Sequence, residues 1–235
     1  DEFKRIEEVE RLNVEDAANK LYQFFETRYD WKTALQNLKN LIVKDLENRG
    51  LELLGNFEER QGIIKIKFKD KLGKEQQGIG GVDRIDIMVC GFNHDGSHQV
   101  FICSVPGEIS KKRDSKEKGK EFGASWIGQI DVTSRIVLGW DGRIFDLPFI
   151  QEVVKNLGEE DVRKQLQGLE YQISWGTMTL QDAIDFCTLA IKTTAAIQRF
   201  SDGIVMDPGD IPGVGGDIDV AVITRNKGFI WVKKK

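Results

Sequence analysis

Ile85–Val105 reads IDIMVCGFNHDGSHQVFICSV, two β-rich runs joined by a turn that contains Asp95-Gly96. An Asp-Gly pair between apolar runs is a strong local hairpin signal. Both runs are apolar at nearly every position, the pattern of strands buried on both faces, so the hairpin predicts a sheet inside a layered α/β fold.

Upstream, Asn13 followed by Asp16 predicts a helix N-cap, and Ala17, Ala18, Leu21, Phe24 and Phe25 then recur at helical spacing. After a break near Asp30, a second stripe of Leu35, Leu38, Ile42 and Leu46 runs to a stop at Gly50. GIIKIKFK at 62–69 alternates apolar and charged residues and predicts a strand with one wet face. The glycine-rich stretch 74–81 is expected to be a mobile loop. No GKS or GKT follows its glycines, so it is not read as a phosphate cradle.

Downstream, the charged run 110–121, SKKRDSKEKGKE, is expected to be a solvated loop; it lacks the aromatic interleaving and basic surroundings of a nucleic-acid footprint. Ile130, Ser134 and Val137 repeat at helical spacing, and 149–157 and 159–169 read as short connecting helices. Thr179 and Asp182 form a capping-box pattern ahead of a long helix faced with Leu180, Ala183, Ile184, Cys187, Ala190, Ile191 and Thr194. A loop rich in glycine, proline and aspartate, 201–216, leads to a final hairpin of DIDVAVIT, an NKG turn and FIWV.

The composition sets the class. The chain has 235 residues and a formal charge of -4, a near balance that gives no reason to expect nucleic acid or acidic lipid as a partner. Cys90, Cys103 and Cys187 are odd in number and each lies in an apolar run, where a free cysteine acts as a small hydrophobe; a reducing, cytoplasmic setting is expected. No apolar stretch reaches the roughly 18–20 residues that span a bilayer, and DEFKRIEEVE has no signal-peptide character, so no membrane partner is expected.

Residue chemistry alone yields few sites. His94 and His98 flank the hairpin turn without a further ligand cluster, so the pair is read as a turn and not as a metal site. Asp207 and Asp210 have acid-base potential but are the usual residues of such a loop. No Rossmann, P-loop, kinase, zinc-finger or nucleophile-elbow spacing is present, and no cofactor is expected.

The order of the pieces is more informative. IDIMVCGFNHDGSHQVFICSVPGE, GASWIGQIDVTSRIVLG, and LQDAIDFCTLAIKTTAAIQRFSDG through VGGDIDVAVIT together resemble proteasome β-type subunits and the HslV-like and Anbu-like proteins, over most of residues 14–232. The resemblance implies an α+β fold of the Ntn-hydrolase type: one domain over 1–235, a four-layer αββα sandwich of two packed antiparallel sheets flanked by helices. Residues 56–84 form an insertion with its own hairpin and loop. It also implies assembly into homo- or hetero-oligomeric rings and a threonine-type peptidase or amidohydrolase chemistry acting on peptide or protein substrates.

In that family an N-terminal Thr, Ser or Cys attacks and its freed α-amine is the general base. Here position 1 is Asp1, and the strands that would carry the catalytic Thr, Asp and Lys have no counterpart. Activity is therefore expected to depend on a nucleophile upstream of this chain. Gly128 and Gln129 stand where the family has a glycine and a serine near the oxyanion, and Asp210 precedes Val214-Gly215-Gly216 where the family has an aspartate before Ser-Gly-Gly. The serine is replaced both times. A non-catalytic, ring-forming or partner-binding homologue is the alternative expectation, and an unrelated α/β binding module a third.

Overall fold

The computed structural model describes residues 12–205 and 213–234. The chain is mixed α+β, with two three-stranded antiparallel sheets, a two-stranded one and several helices. It divides into two compact units, 1–120 and 121–235.

The first unit holds α1 (Val14–Arg28), α2 (Trp31–Arg49), β1 (Glu52–Arg60), β2 (Ile63–Lys69), β3 (Glu75–Gly81), β4 (Ile85–Phe92), β5 (His98–Val105) and β6 (Ile109–Asp114). The expected break is present: the Asp30 side chain accepts from the Thr33 amide at 3.3 Å, and α2 ends on Gly50 in the left-handed region at φ 66°. Asn13 occupies the N-cap of α1 as expected, but its side chain caps nothing. The Val14 amide instead donates to Asn93 Oδ1 at 2.9 Å, from a turn 79 residues away.

The expected β4–β5 hairpin forms, with Val89 opposite Phe101 and Ile87 opposite Cys103. Alternation along the strands puts Ile87, Val89, Phe101 and Cys103 on the face that α1 covers with Val14, Ala18 and Tyr22. Burial on both faces was expected; the opposite face, with Met88, Val100 and Ile102, is half-buried and Cys90 on it is exposed. The thiol of Cys103 is enclosed and donates to the Ala18 carbonyl at 3.5 Å. Cys187, read from the sequence as a small hydrophobe in an apolar run, is exposed.

Two expected loops are strands. The charged run 110–121 is β6 as far as Asp114 and a turn beyond it; β6 pairs with β5 through Ile102–Ser110 and Phe101–Lys111, and its long charged side chains suit a sheet edge. Residues 75–81 are β3, paired with β2 throughout. Gln76, Gly78 and Gly80 face α2 there, and a Cβ at Gly78 would lie 3.0 Å from Ile66 while one at Gly80 would meet Leu38 and Ile42 at 3.6 Å. The missing side chain at Gly78 leaves room for Ile66 of β2, a member of the core that α2 shares. Residues 56–84, expected as an insertion with a single hairpin, thus lie in the β1–β2–β3 sheet, whose core with α2 is Leu35, Leu46, Ile64 and Ile66. Lys65 and Lys69 of β2 stand on the wet face opposite Glu58 and Glu52.

The second unit holds α3 (Asp131–Leu138), α4 (Pro148–Leu157), α5 (Glu159–Leu166), α6 (Leu180–Gln198), β7 (Val220–Thr224) and β8 (Gly228–Lys233). The capping box forms as the spacing predicts: Thr179 Oγ1 accepts from the Asp182 amide at 3.1 Å and the Asp182 carboxylate accepts from the Thr179 amide at 2.9 Å. Thr133 and Thr194 meet with hydroxyls 3.5 Å apart where α3 packs on α6. Among the described residues, no helix is long and apolar enough to cross a membrane.

Candidate functional site

Gln129 lies two residues before α3 and Gln198 is the last residue of α6, so the Thr133–Thr194 contact brings their carboxamides to one end of the helix pair. Gln198 Nε2 donates to Gln129 Oε1 at 2.8 Å. The loop ahead of β7 closes the node. The Gly213 amide donates to Gln129 Oε1 at 2.9 Å and to Gln198 Oε1 at 3.1 Å, and the Val214 amide donates to Gln198 Oε1 at 2.8 Å. Two segments 84 residues apart in sequence are thereby joined by neutral groups.

Of the residues singled out from the sequence, the structure thus unites Gln129 with the Val214-Gly215-Gly216 loop. Gly128, beside Gln129, is exposed, takes the left-handed φ of 84°, and has no atom within 4 Å of where its Cβ would be. Asp207 and Asp210 lie outside the described residues. Gln198 carries as much of the node as Gln129, yet sequence reading passes over it. Its only local signal is a carboxamide at the end of α6, after Ala195-Ala196-Ile197.

The node can orient a loop; it holds no acid, base or nucleophile of its own among the described residues. Carboxamide oxygens take up the amides of Gly213 and Val214, and half-burial of Val214 raises the cost of leaving its amide unpaired.

The second polar centre is in the first unit, around the hairpin turn. A hollow of about 330 Å³ is lined by Asn13, Glu15, Asp16, Asn19, Asn93, Asp95, Gln99 and Lys116. Asn93 Nδ2 donates to Ser97 Oγ at 3.0 Å and to Gln99 Oε1 at 3.1 Å, and Gln99 Nε2 donates to Asp114 Oδ2 at 2.8 Å. Asp95 accepts from the Lys116 ammonium, from Ser97 Oγ at 2.6 Å and from the Ser97 amide at 2.8 Å, and in that order these contacts hold its carboxyl well below the usual range. The same ion pair pushes the Lys116 ammonium pKa up. His94 is exposed in this turn, and His98 opens β5 with its ring 5.9 Å from that of Phe92. Among the described residues no group of three His, Cys, Asp or Glu is placed to hold a metal ion.

Asp114 anchors the far side of this network. Its carboxyl pKa is lowered from 3.8 to about 2, first by the Gln99 carboxamide, then by the Lys116 amide at 2.9 Å and the Lys111 ammonium at 3.1 Å, against a partial burial that opposes them. A lowered folded-state pKa stabilises above the unfolded value, and that stabilisation is lost as pH falls toward the folded value. The β5–β6 edge should therefore lose amide protection between about pH 4 and pH 2, and Asp114→Asn should remove that pH dependence. Hydrogen exchange of residues 98–116 across the titration measures both.

Compared with protein-family models, with curated proteins and with solved structures, the chain matches none.

Proposed function

We propose that this chain is a proteasome-like Ntn-hydrolase subunit, built as a four-layer αββα sandwich and assembled into a ring, whose peptide-bond chemistry depends on a nucleophile upstream of Asp1. The supporting observation is the carboxamide node. In the resemblance, the Gly128-Gln129 segment and the Val214-Gly215-Gly216 loop flank one catalytic centre, and here the two are hydrogen-bonded through Gln129 Oε1 and the Gly213 amide at 2.9 Å. Helix order agrees with it too: two helices precede the central hairpin, and the long α6 and the final hairpin follow.

The test compares two polypeptides. Residues 1–235 alone should leave fluorogenic peptides intact, since Asp1 is a poor nucleophile for amides. The longer gene product should cleave itself to expose a Thr, Ser or Cys, detected by intact mass, and only then turn over peptide. Turnover traced to a residue within 1–235 would overturn the proposal, as would a longer product that exposes no such residue.

A non-catalytic ring or partner-binding role is the second reading, and one observation favours it. The Gly213 and Val214 amides are already accepted by Gln129 and Gln198, and neither serine of the family pattern is present. Gln198→Ala should free the Val214 amide and weaken the hold on Gly213, costing about 1 kcal/mol. Exchange of both amides should accelerate about fivefold, the equivalent of ~1 kcal/mol of local opening. Unchanged protection of these two amides would mean that the node does not hold the loop.

A further inference from the structure

We draw no further inference here: the strongest candidate, the exposed apolar stripe of Phe149, Val153 and Leu157 along α4, is an unpartnered helix face, and with one carboxylate and one ammonium on that helix, Glu152 and Lys155, nothing in the structure shows what covers it.

Discussion

Phe101→Ala is expected to destabilise the first unit by about 3–5 kcal/mol, the range for removing a buried aromatic ring. Phe101 sits at the middle of β5, the central strand of its sheet, and is 3 % exposed. Its ring lies in the cluster formed with Val14 and Ala18 of α1 and Cys103 of β5, so truncation opens a cavity under the helix. Leu or Met at this position, keeping most of the volume, should cost under about 1.5–2 kcal/mol. A small domain has about 5–15 kcal/mol in hand, so the alanine variant should populate its unfolded form under mild denaturant. Urea titration followed by hydrogen exchange locates the effect: protection should fall together over 14–28 and 85–114, which α1 and the sheet share. A loss below about 1 kcal/mol would mean that α1 does not depend on this ring.

Gly62→Ala should be nearly as damaging although it adds a single methyl. Gln61 and Gly62 turn the chain between β1 and β2 with φ values of 49° and 79°, the two positive angles of the tight hairpin turn that matches strand twist. A Cβ on Gly62 would overlap Cγ of Pro106, one of the fully buried side chains of this unit, and would lie 3.0 Å from Val82. Left-handed strain and overpacking together predict a loss of about 2–4 kcal/mol. Gly55→Ala provides the control. Gly55 also has a positive φ, 69°, but no atom stands within 4 Å of its Cβ position, so it should cost only the backbone part, about 1 kcal/mol. Equal thermal shifts for the two variants would show that the turn does not dock against Pro106.

How much of the site was legible follows from the range over which its contacts act. Gln129 and the Val214-Gly215-Gly216 loop stood out through a resemblance in motif order, and the structure links them through Gly213, which donates to Gln129, and Gln198, which accepts from Val214. Gln198 did not stand out, because a glutamine ending a helix is ordinary until a loop from 15 residues on closes over it. The N-cap of α1 shows the same limit. Asn13 is the right residue at the right place, yet the cap comes from Asn93, which no window around residue 13 contains.

Patterns of a few residues were read from the chain as written. The Asp-Gly hairpin, the Thr179–Asp182 capping box, the stop at Gly50 and the stripe that became α3 depend on neighbours within about one turn, so local composition carries them. Packing decided the rest. Gly78 and Gly80 look like a loop until α2 is laid across them, and the lysines and arginine of β6 look solvated until β5 offers its edge. Which of two apolar strand faces is covered, and which cysteine is hidden, also depended on where α1 came to rest. Short-range hydrogen bonding and side-chain periodicity are properties of a segment, whereas burial and edge pairing belong to segments that meet only after folding.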